Sequence, residues 1–421
     1  MSSLLDLYLE YHKLRTISPT TYGLHMGVQL IGHALGREAY NNVAPRAVRH
    51  NSYICLLGQS SKSMKSTAQE DVQIPLIPKL NIGPRSASPE GLLSYMNQLP
   101  HIIQPLGEFS NYLRNIKDGG YMSPFKELAN DLWGCPIDYS KRLRNEGESY
   151  YVWHPYLSLN TTCTPEEFIA NLKPETVQGG FLPRWLLVYE EPPKREKRKI
   201  LPMDIDEVEK AMTHLIHSLY KAFVGQKVIF QCDEEALTTY DDICIELETN
   251  DKYQNVQPFV KRYENYILAY ADILYVSDVI GSKLSELYKL NELSKLITIY
   301  KDINIPKVVH NIINSINSIN SAYVNKAASI ITPILDYSIH ISQYLNEDWY
   351  IAKVKNRSLS KFADRCDWST CLRNSGLDSK KFGEVILTLV KREEITVDII
   401  EQGEGQSKKQ TQFIIKTPKY I

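Results

Sequence analysis

An apolar run that leads into a glycine and a polar, lysine-containing loop constrains the fold of this 421-residue chain most. The run is Tyr53–Leu57, Gly58 follows it, and the loop reaches Lys65, Ser66 and Thr67. A short apolar run bounded by turn residues predicts a buried strand. The segment therefore predicts a strand, a tight loop and a helix in succession, which is a unit of an α/β fold with a mostly parallel sheet.

The same order of residues is what a phosphate-binding loop requires. Backbone N–H groups of the loop and the following helix surround the phosphate oxygens, and a lysine neutralises charge on the β- and γ-phosphates. The next hydroxyl then ligates Mg²⁺. The sequence thus predicts nucleotide contacts from Gly58, Ser61, Lys65 and Thr67, with Ser66 as both a nucleotide contact and a Mg²⁺ ligand.

The loop departs from the usual pattern in two ways. Lys65 lies seven residues after Gly58 instead of six, and Met64 stands where a second glycine is usual. Methionine does not freely adopt the positive φ that glycine permits. Lys62 adds a second positive charge, and we include it among the candidate nucleotide contacts. The alternative is a basic, serine-rich turn that binds nothing.

Three further candidates follow at later strands. The run that starts at His101 ends in Gly107 and Glu108, and a carboxylate there can orient an attacking water or hold Mg²⁺ through water. A third run ends near Asn160, which could sense the γ-phosphate, and Arg184 precedes a fourth run. An arginine at a subunit edge can stabilise transition-state charge on a neighbour's nucleotide. The alternatives are a solvated glutamate, a helix cap and a surface ion pair.

Changes in pattern divide the chain into four predicted segments. Residues 1–45 have helical spacing, residues 46–200 alternate short apolar runs with helices, and residues 201–350 are almost wholly helical. The basic, proline-flanked stretch 192–202 indicates a linker or exposed loop. Residues 351–421 show two helices and then two alternating strands, which is typical of a winged helix.

The charge of the chain is unevenly distributed. The whole chain has 48 Lys+Arg and 49 Asp+Glu, but residues 351–421 have 14 Lys+Arg and 9 Asp+Glu, a net charge of +5. This segment predicts contact with DNA, in which the second helix lies in the major groove and the wing touches phosphates. The alternative is a winged helix that contacts only protein. The candidate DNA contacts are Arg373, Lys380, Lys381, Lys408 and Lys409.

Other features favour an intracellular protein. The seven cysteines are spread along the chain without a CxxC pair, which indicates reduced thiols in the cytoplasm. The first residues lack the pattern of a signal peptide, and no apolar stretch is long enough to span a membrane. We find no nucleophile motif and no primase catalytic motif. These observations predict a cytoplasmic location and no membrane partner.

Taken together, these motifs resemble the helicase-like P-loop ATPase family of mobile elements, which is found in phages, plasmids and archaeal elements. The order of phosphate loop, acidic strand end, polar strand end and edge arginine is also the layout of RecA-like and AAA+-like motor cores. The resemblance covers about residues 15–345. The matching stretches are GQSSKSMKSTA, ASPEGLLSYM, PLGEFSNYL, SPFKELANDLWG with a downstream SKRLR, LSLNTTCTPEEF, GGFLPRWLLVYEE and, in the helical half, DEEALTTYDDI and VKRYENYILAYADIL.

The resemblance implies a RecA/AAA+-like P-loop NTPase core with a helical lead-in, a helical lid and a C-terminal winged helix. Lys65, Ser66 and Thr67 would then contact ATP and Mg²⁺, Glu108 would be the acid of the second motif, and Arg184 a finger. Arg142 matches a basic position of the family to which we assign no role. The implied assembly is a homo-oligomer, a hexameric ring, that acts on DNA and works beside a separate primase.

The resemblance also frames the functional alternatives. The main expectation is an ATP-dependent DNA helicase or DNA-remodelling motor for replication of a mobile element. The family more often has Asp before the acid, where this chain has Gly107, and this difference weakens the hold on Mg²⁺. A catalytically weak or inactive scaffold that binds DNA, and a slow nucleotide switch that loads another helicase, therefore remain alternatives.

Overall fold

The computed structural model forms two compact units, Met1–Ile339 and His340–Ile421. The predicted linker at 192–202 and Lys408 lie outside the residues that the structure describes. The described residues are 3–43, 47–77, 81–116, 122–142, 149–172, 176–177, 179–191, 205–290, 292–304, 318–343, 350–351, 354–355, 358–361, 365–402 and 409–416.

The first unit is built around strands in three sheets. These strands are β1 (Ala39–Asn41), β2 (Val48–Arg49), β3 (Tyr53–Leu57), β4 (His101–Glu108), β5 (Asp138–Arg142), β6 (Ser149–Trp153), β7 (Tyr156–Cys163), β8 (Trp185–Tyr189) and β9 (Val228–Phe230). Its helices are α1 (Leu4–Arg15), α2 (Thr20–Leu35), α3 (Pro89–Gln98), α4 (Phe109–Asn115), α5 (Ser123–Trp133), α6 (Pro165–Asn171), α7 (Ile205–Phe223), α8 (Glu234–Thr249), α9 (Gln257–Tyr288) and α10 (Leu293–Ile299). Helix α11 follows at Ser321–Gln343, and Thr67–Gln73 is a π-helix.

The central sheet has four parallel strands in the order β4-β7-β3-β8. The fold is therefore α/β with a parallel sheet and mixed helices, as the alternating apolar runs predict. Every residue of β3 and β7 is buried, and for β3 this explains why the sequence shows a continuous apolar run where a half-exposed strand would alternate. All four strands point the same way, so the residues that follow β3, β4 and β7 meet at one edge of the sheet.

The two N-terminal helices belong to the same core as this sheet. The Tyr22 hydroxyl on α2 donates to the main-chain oxygen of Leu57 at 2.6 Å, directly before the loop. The main-chain N–H of Leu5 on α1 donates to Ser277 Oγ on α9 at 2.8 Å. The predicted helical lead-in thus forms part of the support of the sheet.

The helical half contributes a long buried helix, α9. Its Asp272 accepts hydrogen bonds from Asn41 Nδ2 at 2.8 Å and pairs with His50 Nε2 at 2.9 Å. Burial raises the pKa of the Asp272 carboxyl, and the two partners oppose that rise. Because the side chains of His50 and Asp272 are fully buried, this pair fixes α9 against the residue that follows β2, and Asn41 links the same carboxyl group to β1.

The described residues of the second unit include two helices that pack with a three-stranded antiparallel sheet. Its elements are β10 (Arg365–Asp367), α12 (Trp368–Ser375), α13 (Ser379–Lys391), β11 (Ile395–Gln402) and β12 (Lys409–Lys416). The strands have the order β10-β12-β11, and β11 and β12 form a long hairpin. The core includes Phe382, Ile386 and Leu389 from one face of α13, as its apolar spacing predicts.

Candidate functional site

The carboxyl edge of the parallel sheet encloses a cavity of about 400 Å³. The loop after β3, the end of β4 and the end of β7 line it, and Glu108 pairs in register with Thr162. Ligands of open α/β sheets bind in this position because the loops there converge. The predicted contacts that line the cavity are Ser61, Lys65, Ser66, Thr67 and Glu108. A second cavity beside it is lined by Lys62 and Glu108 together with Glu167.

Gly58 starts the loop where no side chain fits. A Cβ atom built at this position would lie 2.4 Å from the Tyr22 hydroxyl and 2.6 Å from Ser63 Oγ. The N–H of Gly58 donates to the main-chain oxygen of Cys163, so the loop leaves the sheet while it is still tied to β7. Glycine is therefore required here for close approach of the backbone to its neighbours.

Lys65 lies inside the loop. Its Nζ donates to the main-chain oxygens of Gly58 at 2.6 Å and Gln59 at 3.4 Å, and the residue is only 8% exposed. Burial lowers the pKa of the ammonium group, and the negative charge of Glu108 opposes this. The loop thus holds a cation at the wall of the cavity, the position that phosphate oxygens require.

The loop reaches its shape with two non-glycine residues at positive φ. Ser61 has φ 59° and Met64 has φ 49°. Met64 thus adopts the left-handed geometry that a second glycine would take freely, and such a conformation costs about 1 kcal/mol or more for a side chain with a Cβ atom. Directly after the loop, Lys65 and Ser66 begin a helix that continues as the π-helix Thr67–Gln73. Single π-turns are frequent at functional sites.

A second carboxylate lies beside Glu108. Ligand atoms of Glu108, Cys163 and Glu167 all lie within 4.8 Å of one another. Burial raises the pKa of the Glu108 carboxyl, and a hydrogen bond with Glu167 raises it further, while Lys65 and Arg114 lower it. Sequence reasoning missed Glu167 as a site residue because its place in the first turn of α6 indicates only a helix cap. Thr164 does cap that helix by accepting from the N–H of Glu167.

Asn160 and Arg184 do not line the cavity. Asn160 is fully buried inside β7 and hydrogen-bonded to other side-chain amides. Arg184 lies at the amino end of the sheet, since the next residue, Trp185, pairs with Tyr53 at the start of β3. Its guanidinium lies 5.5 Å from the Trp133 ring centroid and donates to the main-chain oxygen of Gly180. Both predicted roles therefore remain predictions.

The antiparallel hairpin β5–β6 presents exposed aromatic rings. Tyr151 and Trp153 are 47% and 54% exposed, and their stacked rings have centroids 6.2 Å apart. The ring of His154 stacks on Trp153 at 4.7 Å. On the other face of the hairpin, Val152 is buried and Lys141 pairs with Glu90 at 3.1 Å. The side chain of Arg142 lies outside the described residues.

Among the candidate DNA contacts in the second unit, Arg373 lies on α12, and Lys380 and Lys381 lie on α13. Arg373 and Lys380 are exposed, whereas Lys381 pairs with Glu384 and lies 4.5 Å from the Tyr350 ring centroid. The side chains of Lys408 and Lys409 lie outside the described residues. The outer face of α13 also exposes Leu387, at 63%. That face therefore offers both basic and apolar contacts.

Comparison with protein-family models gives no match to this sequence, and comparison with curated proteins finds no similar one. Within the described part of the chain, no helix is both long and apolar enough to cross a bilayer. What the cavity can bind therefore follows from its own residues. It has a buried lysine, hydroxyl groups from Ser66 and Thr67, and a carboxylate from Glu108. This donor set fits a nucleotide phosphate with a divalent cation.

Proposed function

We propose that the cavity binds ATP with Mg²⁺ and that this chain is an ATP-dependent DNA helicase or DNA-remodelling motor for replication of a mobile genetic element. The observation that carries the proposal is the convergence of Lys65 and Glu108 on one cavity at the carboxyl edge of the sheet. The order of the strands supports it, because one strand, β7, separates the loop strand from the strand with the acid. RecA-like and AAA+-like P-loop cores share this arrangement.

In the proposed reaction, each residue has a distinct task. The loop N–H groups and Lys65 hold the β- and γ-phosphates and offset their negative charge. Ser66 and Thr67 provide oxygen atoms for Mg²⁺, which supplies further neutralisation of phosphate charge when bound. Glu108 accepts a proton from water as that water attacks the γ-phosphorus and the bond to the bridging oxygen breaks. ADP and phosphate are the products.

The DNA-facing part of the proposal rests on two surfaces. The exposed rings of Tyr151 and Trp153 suit the stacking of unpaired bases, which is largely independent of sequence. The basic second unit, which we infer to be a winged helix, suits duplex or fork DNA through Arg373, Lys380 and Lys381. A hexameric ring, in which Arg184 of one subunit approaches the nucleotide of the next, and a separate primase complete the proposal.

A cytoplasmic location is part of the same proposal. All seven cysteines are free thiols, and burial raises the pKa of Cys55 and Cys135 above that of an ordinary thiol. Inert, buried thiols of this kind suit a reducing compartment. ATP and replicating DNA are present there.

Specific observations favour a second candidate, a P-loop scaffold with weak or no turnover. Met64 strains the loop, Gly107 supplies no carboxylate, and Lys65 already bonds two loop carbonyls. In this case the protein binds DNA or loads a helicase, and the exposed Leu387 on α13 suits a protein partner. A slow switch that DNA or a partner stimulates lies between the two candidates.

One experiment separates these candidates. ATP binding and steady-state ATPase activity are measured with and without forked DNA for the wild type, for Lys65→Ala and for Lys210→Ala. Lys210 is an exposed lysine whose pair with Glu207 contributes little stability, so it serves as the matched control. The motor predicts DNA-stimulated ATPase that Lys65→Ala abolishes and Lys210→Ala retains.

The alternative outcomes are equally specific. Wild-type activity no higher than that of Lys65→Ala, with DNA binding intact, would establish the scaffold. Absence of ATP binding by the wild type would refute the nucleotide site itself.

For the aromatic surface, Trp153→Ala should weaken single-stranded DNA binding by about 1–3 kcal/mol. Leu237→Ala, at an exposed apolar residue of α8, should not weaken it.

A further inference from the structure

A network of buried amide side chains connects the cavity to the interior of the first unit. It consists of Gln29 on α2, Gln69 and Gln73 on the π-helix, and Asn160 on β7, and each is at most 3% exposed. Asn160 Nδ2 donates to Gln29 Oε1 at 2.9 Å and to Gln73 Oε1 at 2.7 Å. Polar groups buried this deeply are stable only when they are hydrogen-bonded.

The partners of this network fix the orientation of every amide in it. Gln29 Nε2 donates to the main-chain oxygen of Ser52, and Gln73 Nε2 donates to that of Met26, both at 3.0 Å. A main-chain oxygen only accepts, so each Oε1 atom must face Asn160. Asn160 therefore presents its nitrogen to these two residues and its own Oδ1 in the opposite direction.

That direction leads to Gln69. Its Nε2 donates to both the side-chain and the main-chain oxygen of Asn160, the latter at 3.2 Å. The remaining polar atom of Gln69 is Oε1, and no hydrogen bond between described residues uses it. Gln69 lines the cavity together with Ser66, Gly107 and Glu108. The network thus supplies the cavity with a fixed hydrogen-bond acceptor.

The Gln69 oxygen is relevant to cation binding because Gly107, which lines the same cavity, supplies no carboxylate. An acidic side chain at that position would supply a second oxygen beside Glu108, and this chain has none there. A Cβ atom added at Gly107 would meet no atom within 4 Å, so the space is open. Amide oxygens and carboxylates are both normal partners of hard divalent cations and of the waters that such cations retain.

We propose that Gln69 is a further binding residue of the site. Its Oε1 accepts a hydrogen bond from a water of the Mg²⁺ ion that accompanies ATP, in place of the carboxylate that Gly107 lacks. Asn160 is a positioning residue that acts through Gln69. This inference rests on the proposed ATP site, since it concerns how that site holds its cation.

The test measures ATP affinity in Mg²⁺ and in EDTA for the wild type, Gln69→Met and Gln104→Met. Gln104 is a fully buried glutamine on β4 outside the network, so its variant controls for the loss of a buried amide. The wild type should bind ATP at least tenfold more tightly with Mg²⁺. Gln69→Met should lose most of that gain and keep its affinity in EDTA, whereas Gln104→Met should keep both.

Two further variants test the mechanism. Gly107→Asp should restore the Mg²⁺-dependent gain in the Gln69→Met background and add little to the wild type, as expected of two groups that do the same task. Asn160→Ala should lose part of the gain without a change in EDTA affinity, which a purely structural role would not produce. If Gln69→Met does not fold, Gln69→Asn, which withdraws the oxygen by one methylene, takes its place with the same expectation.

The outcomes separate this inference from the proposed function. If the wild type binds ATP and Gln69→Met retains the full Mg²⁺-dependent gain, the role of Gln69 is refuted and the ATP site stands. If the wild type binds ATP neither with Mg²⁺ nor in EDTA, the ATP site and the role of Gln69 are refuted together.

Discussion

Ionisable side chains at the two ends of the central parallel sheet have different surroundings. At the carboxyl end, Lys65 and Glu108 line one open cavity, and Glu108 and Glu167 line the cavity beside it. At the amino end, His33 and His101 pack on the ring of Tyr156, and burial lowers the pKa of His33 to about 3 and that of His101 to about 4. These histidines are therefore neutral at physiological pH.

The difference between the two ends indicates which end of the sheet can bind a ligand. Opposite charges that share an open cavity can exchange their partners for a ligand. Neutral imidazole rings that pack on other rings offer no charge to a ligand, and a proton added to one of them destabilises the fold. Changes at the carboxyl end should therefore affect binding more than stability, while changes at the amino end should affect stability alone.

The largest effect is expected from Gly58→Ala at the carboxyl end. The added Cβ would overlap the Tyr22 hydroxyl and Ser63, so the loop must move, at a cost of about 1–3 kcal/mol. ATP affinity, measured by calorimetry, should fall at least tenfold. Gly134→Ala, whose Cβ would make only an ordinary 3.6 Å contact, is the control and should change neither quantity. Unchanged affinity in Gly58→Ala would contradict the loop's role.

The histidines at the amino end should make the free energy of unfolding depend on pH. The unfolded chain binds protons on histidine near pH 6.5, while folded His33 and His101 remain neutral down to about pH 3 and 4. The free energy of unfolding should therefore fall as pH decreases from about 6.5 towards 4, by about 2 kcal/mol per buried histidine at pH 5. Urea unfolding at pH 7.5 and 5.0 should show a smaller fall for His33→Phe, and an identical fall would refute this account.

Arg184→Lys removes the guanidinium group at the amino end but keeps its positive charge. Loss of the planar guanidinium, which lies 5.5 Å from the Trp133 centroid, should cost about 1–2 kcal/mol of unfolding free energy. ATP affinity should not change, since Arg184 lies away from the cavity. If Arg184 is also a finger, ATPase activity of the assembled protein should fall in parallel. Full activity would leave it a packing residue only.

The smallest effect is expected from Met64→Gly. Removal of the Cβ at φ 49° should relieve about 1 kcal/mol of strain and tighten ATP binding a few-fold. Lys289→Gly is the matched control, because Lys289 ends α9 in the same left-handed region, far along the chain from the loop. It should stabilise the protein to a similar extent without changing ATP affinity. Equal effects of both variants on ATP affinity would argue against loop strain.

The sequence was informative where a local pattern determines the structure. The run Tyr53–Leu57 is a strand with the predicted bounds, and the run that Arg184 precedes is the strand Trp185–Tyr189, because a strand buried on both faces needs an unbroken apolar run. The loop residues from Gly58 to Thr67 could also be predicted from the sequence, because one continuous segment forms the loop.

The rest of the site depends on contacts between distant segments, which a local pattern does not record. Glu167 follows a cap signal, and nothing near it in the chain indicates that it approaches Glu108. Asn160 follows an apolar run and was therefore expected at a strand end, but β7 continues to Cys163 and keeps Asn160 inside. No local pattern indicates a role for Gln69, because its orientation depends on Asn160, which lies 91 residues further along the chain.

The hydrogen bonds of the N-terminal helices have a consequence for how this protein folds. Gln29 on α2 donates to the main-chain oxygen of Leu159, which lies 130 residues further along the chain. Leu5 on α1 donates to Ser277, which lies 272 residues further along. During synthesis these helices leave the ribosome long before their partners exist, so α1 and α2 cannot complete their native contacts until most of the first unit has been made. Contacts of such high sequence separation slow folding. We expect the first unit to acquire native protection from hydrogen exchange late and as a whole, including its earliest-synthesised residues.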